Sequence, residues 1–123
     1  MASVGPNSPG TVTNETGAGT VAWTNPGNAA SSNDVYATAV LGAFAQTNYL
    51  QCVGFGFSIP AGALINGVLV EVEAKATTGA GFVGSQQRLV KAGTRSGTGV
   101  SESPGVGTTD AYASLGNSTA LWG

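Results

Sequence analysis

The sequence contains one pair of acidic side chains whose spacing could support catalysis. Glu71 and Glu73 are separated by a single residue, so in an extended strand they share one face about 7 Å apart. Carboxylate pairs at comparable separations carry out glycoside hydrolysis. Catalytic carboxylates usually face each other across a cleft, however, and here Lys75 simply continues the same strand face. We therefore interpret both glutamates as a solvated strand face and expect no catalytic residues and no enzymatic activity.

Other side chains that could carry out chemistry are few. The chain has no histidine, which excludes Ser-His-Asp and Cys-His nucleophilic sets. Cys52 is the only cysteine, so neither an intrachain disulfide nor a cysteine metal cluster can form, and we expect a small buried hydrophobe. Asn33 and Asp34 could contribute oxygen ligands, but calcium sites usually recruit several carboxylates. An Asx turn is our preferred interpretation of that loop, and we expect no metal and no cofactor.

Charge and hydropathy exclude two classes of partner. Lys and Arg together number 4 in 123 residues, against 6 Asp and Glu, for a net charge of −2. Four scattered cations cannot form the stripe that neutralises phosphates, so we expect no nucleic-acid partner. The apolar runs are much shorter than the ~20 residues that span a bilayer, and residues 1–10 lack the basic start and apolar core of a secretory signal. We therefore expect no membrane partner.

The glutamates belong to a region with strict two-residue alternation. Large apolar and small residues alternate over 54–59, and apolar and charged residues alternate over 68–75. A Pro-Ala-Gly turn at 60–62 separates them, because proline lacks a donor and glycine permits positive φ. The pattern predicts core strands at 49–59 and 63–76, with residues 55, 57 and 59 facing inward. Asn66-Gly67 is either a hairpin turn or a bulge within the second strand, and alternation does not decide between them.

The rest of the chain also favours strands and loops. Residues 11–24 are typical of two short strands, or of one strand with a loop, and a new strand is predicted at 35–40. The Asn-Pro-Gly sequence at 25–27 predicts a turn in which glycine takes the positive φ. Mixed alternation over 86–91 predicts an edge strand or a strand covered by another chain. The stretch 92–107 has few large apolar residues and is interpreted as a long loop that contacts something.

These elements predict one domain preceded by an arm. Residues 1–10 are rich in Pro, Gly, Ser and Asn, so we expect an extended arm held against the domain or a neighbouring subunit. Residues 11–123 are predicted to form a single domain. The fold class that we expect is all-β: an antiparallel, jelly-roll-like β-sandwich with long loops.

Four segments occur in an order that resembles a known family. They are AWTNPGNAASSNDVYATA, YLQCVGFGFSIPAGALINGVLVEVEAKA, QRLVKAG and TDAYASLGNSTALWG. Over about residues 21–123 they resemble a β-sandwich module of tailed-bacteriophage structural proteins, most specifically at 54–73. Members of that family usually continue past Leu-Trp-Gly with further strands, whereas this sequence stops at Gly123. We therefore expect an open edge and an open Trp122, covered by another subunit or virion protein.

The resemblance implies a structural function. It suggests a non-enzymatic virion protein, above all a capsid decoration or cement protein that stabilises the head through subunit contacts. The implied partners are the major capsid protein or tail proteins and further copies of this chain. The implied location is the virion, after synthesis in the host cytoplasm. The residues that we expect at interfaces are Trp23, Arg95, Val100, Tyr112, Leu121 and Trp122.

The alternative is a module of a tail fibre or spike that binds glycans on the host surface. Exposed aromatic rings stack on the apolar faces of sugars and also anchor protein interfaces. The candidate aromatics for such a site are Trp23, Tyr36, Tyr49, Tyr112 and Trp122.

Overall fold

The computed structural model describes residues 3–78, 82–83, 86–99 and 104–122, with the backbone alone at 82–83. The chain divides into two compact units, Met1–Gly62 and Ala63–Gly123, here called the first and second units. The described elements are strands and one short 3-10 helix, which confirms the predicted all-β class. The single domain over 11–123 stays a prediction.

The first unit is built on one antiparallel strand pair. Strand β1 (Thr11–Glu15) pairs with strand β2 (Tyr49–Val53), and the register places Val12 opposite Cys52. Val12 is buried, so the inward side of this ladder forms the apolar centre of the unit. The chain between these strands, residues 16–48, contains two isolated bridges and a 3-10 helix at Pro26–Ala30.

Three antiparallel strand pairs lie in the described part of the second unit. The longest joins β3 (Leu69–Ala74) to β8 (Ala111–Gly116), with Val70 opposite the buried Leu115. The other strands have two residues each. They are β4 (Phe82–Val83) paired with β7 (Gly105–Val106), and β5 (Val90–Lys91) paired with β6 (Thr94–Arg95).

The predicted strand at 49–59 is too long, because its second half leaves the sheet. Gly54 has φ 73° and Gly56 has φ 67°, and neither value is compatible with a regular strand. The rings of Phe55 and Phe57 stack with centroids 6.0 Å apart. Phe57 and Ile59 are both exposed, so the prediction that this apolar side faces inward is wrong for these two residues.

The predicted strand at 63–76 is also shorter than expected, because β3 begins only at Leu69. The Asn66-Gly67 pair is neither a hairpin turn nor part of a strand. Gly67 instead lies against the backbone of Asn117 and Ser118, so closely that a Cβ atom would overlap it. A glycine is required here by close backbone approach, a reason that the local sequence does not reveal.

The turn predicted at 25–27 and the strand predicted at 35–40 both differ from the structure in detail. In the turn at 25–27 the positive φ falls on Asn25, at 50°, and Pro26 starts the 3-10 helix. Asparagine tolerates this left-handed conformation better than most residues, while proline suits a helix start. The strand predicted at 35–40 is reduced to an isolated bridge between Thr38 and Thr24.

The long loop predicted at 92–107 contains two strands. Ala92 has φ 48° and Gly93 has φ 79°, values typical of a two-residue hairpin turn with left-handed residues at both central positions. This turn joins β5 to β6, so the edge strand predicted at 86–91 survives only as a single bridge at Gln87 and β5 itself. No helix in the described part of the chain is long and apolar enough to cross a bilayer.

Candidate functional site

The acidic pair lies on β3 as predicted. Register places Glu71 opposite Ser114 and Glu73 opposite Tyr112, so neither glutamate faces a second carboxylate on β8. Just beyond the ends of the two strands, Lys75 Nζ lies 3.7 Å from Asp110 Oδ2, and the two side chains form an ion pair. The two glutamates thus belong to a polar strand face, and the nearby second carboxylate in this unit is that of Asp110, within 4.8 Å of Glu73. That the chain is not an enzyme stays a prediction.

The opposite face of the β3–β8 pair is apolar. Val72, Ala74, Ala113 and Leu115 line a cavity of about 200 Å³, and residues 104–107 also form part of its lining. The sequence pattern predicts a dry face and a wet face for β3, and this holds only in part, because Val72 on the apolar face is exposed while Glu73 on the polar face is half-buried. Gln87 contributes a polar side chain to a wall that is otherwise mainly apolar, so the cavity is packing space next to the small core.

Cys52 behaves mainly as a packing residue. It is half-buried in β2, and its Sγ lies 3.9 Å from the carbonyl oxygen of Leu50. Burial raises the pKa of the Cys52 thiol, which disfavours the reactive thiolate. The predicted burial of Cys52 is therefore only partial.

The loop that could have supplied oxygen ligands forms the predicted Asx turn. The backbone N–H of Val35 donates to Asn33 Oδ1 at 3.2 Å. Asp34 has φ 59°, and its Oδ1 lies 3.5 Å from the Tyr36 hydroxyl, which donates to it. The turn does not begin a strand, because extended pairing in this region is limited to the Thr38 bridge.

Trp23, an interface candidate of the first unit, is tied into its own unit. Its indole N–H donates to the carbonyl oxygen of Asn48 at 2.9 Å, and its backbone N–H donates to Asn14 Oδ1 at 2.8 Å. Asn48 is itself buried. Because the ring is only half-buried, part of it is still available for contact with another molecule.

Trp122 corrects the expectation of an open C-terminal motif. Its side chain is only 4% exposed, and its indole N–H donates to the carbonyl oxygen of Val68 at 2.9 Å. Gly116 lies close to the indole nitrogen, where a side chain would collide with it. The ring is therefore covered by its own unit and offers little surface to a partner.

The remaining interface candidates differ in exposure. Tyr112 is 59% exposed and Leu121 is 55% exposed, so both can reach another molecule. Arg95 is half-buried in β6. Val100 lies outside the described residues.

Leu121 borders an apolar groove that the sequence did not predict. The groove lies within the second unit and has a volume of about 420 Å³; its lining consists of Ile65, Val68, Leu89, Lys91 and Leu121. Its apolar residues come from three separate segments, so no single stretch of alternation could have revealed it.

The most exposed apolar side chains lie in the first unit and were also missed. Val40 is 90% exposed and Phe44 is fully exposed. Phe44 lies within a tight turn in which the Ala45 N–H donates to the Gly42 carbonyl oxygen at 3.2 Å, and Val40 precedes that turn in the chain. A sequence signal was available, since no charged residue occurs between Asp34 and Glu71. We call Val40 and Phe44 the knob.

The fold and its surfaces define the class of molecule: a small all-β protein that carries exposed apolar residues on both of its units. No family model, curated protein or solved structure matches the chain. A function must therefore be argued from these surfaces and from the sequence.

Proposed function

We propose that this chain is a non-enzymatic virion structural protein of a tailed bacteriophage, and specifically a capsid decoration or cement protein. It would stabilise the head through contacts between subunits. One observation carries the proposal: among the described residues thirteen large apolar side chains are exposed and only three are buried, so this surface is suited to burial against other proteins.

The imbalance between buried and exposed apolar residues is large. Val12, Leu115 and Trp122 are the only buried hydrophobic side chains among the described residues. The exposed ones are Val4, Val35, Val40, Phe44, Val53, Phe57, Ile59, Leu64, Ile65, Leu69, Val72, Tyr112 and Leu121. Single exposed apolar residues are ordinary, but a set of this size beside so small a core favours a subunit that gains stability by assembly.

The short ladders support a particular architecture for this assembly. Each described sheet has only two strands, which leaves backbone donors and acceptors at strand edges that further strands could pair with. We propose that these ladders belong to a jelly-roll-like antiparallel sandwich that neighbouring subunits complete. The order of motifs from Trp23 to Trp122, which resembles phage structural modules, supports the same arrangement.

The proposed partners are the major capsid protein, or tail proteins, and further copies of the chain. The proposed location is the virion. Only 8% of residues are charged, so contacts would depend on apolar and backbone groups more than on ion pairs. Tyr112 and Leu121 are the best exposed of the predicted interface residues and are the first to test.

Glycan binding by a tail fibre or spike is the alternative, and it has less support. Of its five candidate aromatics, Tyr112 is exposed, Trp122 is buried, and the three in the first unit are half-buried. Within the second unit one exposed ring does not make the flat aromatic platform that sugar stacking needs.

The deciding experiment is co-sedimentation of the purified full chain with head shells of the phage that carries its coding sequence. We expect saturable binding that Leu121→Ser weakens, with the exposed Ser31→Ala as the matched control. A chain that neither associates with itself nor binds shells would contradict the proposal. Specific binding on a glycan array, lost in Tyr112→Ala, would replace it with the alternative.

A further inference from the structure

Within the knob, Phe44 has a strained backbone conformation, and its side chain makes no packing contacts that would offset the strain. Phe44 has φ 58°, a left-handed value that bulky residues rarely adopt and that Asn or Gly adopts far more readily. Its side chain is fully exposed, so contacts within the chain do not offset this strain. Backbone strain that persists without local compensation is concentrated at functional positions. Phe44 is therefore placed for contact with another molecule.

The groove of the second unit suits a phenylalanine ring in size and chemistry. Its volume is about 420 Å³, whereas an apolar cavity of about 150 Å³ is enough to hold benzene. Ile65 and Leu121 on its walls are both exposed, so the groove is open to an incoming side chain. Burial of the knob there would remove apolar surface of both partners from water.

Charge favours the same pairing and disfavours a membrane. The first unit, which carries the knob, contains two acidic residues, Glu15 and Asp34, and no Lys or Arg. All four cations of the chain are in the second unit, where four acidic residues balance them, and Lys91 lines the groove itself. Basic residues strengthen the binding of exposed apolar side chains to anionic lipid, and the first unit has none. The charge complementarity is therefore local: Lys91 at the groove faces a knob-bearing unit whose charged side chains are all acidic.

We propose that the knob of one copy inserts into the groove of a second copy, with Phe44 against Ile65 and Leu121. The contact is heterologous, because the two surfaces differ, and so it forms rings or open chains of subunits. Two side chains and one groove bury less area than a stable dimer interface needs, so association is weak in dilute solution. It becomes effective where subunits are held close together, as on a shell. The inference thus rests on, and deepens, the proposed assembly function.

The first test is sedimentation velocity of the full chain over a wide concentration range. We expect self-association that Phe44→Asn weakens at least tenfold, since Asn suits the backbone but removes the ring. Leu121→Asn should weaken it similarly, and the double variant should be no weaker than either single one. Val4→Asn, which changes an exposed apolar residue elsewhere, is the matched control. Unchanged association in Phe44→Asn would overturn the inference.

A cross-linking test identifies the two surfaces directly. In a Cys52→Ser background, Phe44→Cys and Leu121→Cys are prepared as separate proteins, mixed, and oxidised. We expect a mixed disulfide dimer that forms faster than with Ser31→Cys in place of Phe44→Cys. Equal rates of disulfide formation with Phe44→Cys and with Ser31→Cys would overturn the inference. Flotation of the wild-type chain with anionic vesicles that is lost in Phe44→Asn would also overturn it.

Shell binding separates this inference from the proposed function. A chain that binds shells yet stays monomeric at every concentration would overturn the knob-and-groove contact and leave the proposed function intact. Knob-dependent association without any binding to shells would support the contact and count against the proposed function.

Discussion

The aromatic segment at 54–59 and the strand β3 have similar alternation but different structures. In the aromatic segment, residues 55, 57 and 59 alternate with small residues, yet Gly54 and Gly56 have positive φ and no ladder forms. In β3, branched residues alternate with acidic ones, and all six positions pair with β8. The opposing strand holds β3 in register, and the buried Leu115 lies directly opposite Val70.

The difference shows that alternation is only a permissive condition for a strand. Glycine at the small positions leaves the backbone free to adopt left-handed conformations, whereas β-branched valine favours the extended region. The aromatic segment is held instead by residues of the N-terminal arm. Asn7 Nδ2 donates to the Phe55 carbonyl oxygen at 2.8 Å, and Gly5 lies close to the ring of Phe57. The predicted arm thus contacts the first unit at this segment.

The largest expected difference between the two regions is in the stability lost when a side chain is truncated. Leu115→Ala should lower the free energy of unfolding by about 3 kcal/mol, because it leaves a cavity behind β3. Phe57→Ala should cost only about 1 kcal/mol, since nearly half of that side chain is already exposed. Urea denaturation of both variants measures the difference. Equal losses would mean that the aromatic segment is as well packed as β3.

A smaller difference is expected between two glycines with similar backbone angles. Gly116 has φ 80°, and an added Cβ would overlap the Val68 carbonyl oxygen and the Trp122 indole. Gly56 has φ 67° with nothing described within 4 Å of that position. Gly116→Ala should therefore cost about 2 kcal/mol or more, and Gly56→Ala only about 1 kcal/mol from the backbone term. Thermal unfolding provides the measurement; a milder effect at Gly116 would contradict the close packing around Trp122.

The smallest effect concerns Cys52, which lies just before the aromatic segment. Burial raises the pKa of its thiol above the ordinary value of 9.0, so the folded state holds the proton more tightly than the unfolded state. Its contribution to stability is therefore complete below pH 9 and is lost as pH rises through the folded pKa. Stability of the wild-type chain should fall more steeply above pH 9 than that of Cys52→Ala. Iodoacetamide alkylation of the folded chain should likewise need higher pH than alkylation of free cysteine, and identical pH profiles would contradict the burial.

Some features were determined by the sequence itself. Low charge, the lack of histidine and a single cysteine limit the available chemistry without reference to any fold. Branched residues at alternate positions determined that β3 is a strand, and Asn33 determined the Asx turn, because both depend on local conformational preference. The all-β class follows from the same local preferences.

Only the tertiary structure decided which apolar residues are covered. Trp122 looked exposed in the sequence but is buried, because Val68 and Gly116 approach it from distant parts of the chain. Phe44 and the groove around Leu121 could not be assigned from local pattern, since exposure depends on packing between segments far apart in sequence. Burial is a property of the folded neighbourhood, and for this protein it is burial that distinguishes the core from the surfaces proposed to join one copy to the next.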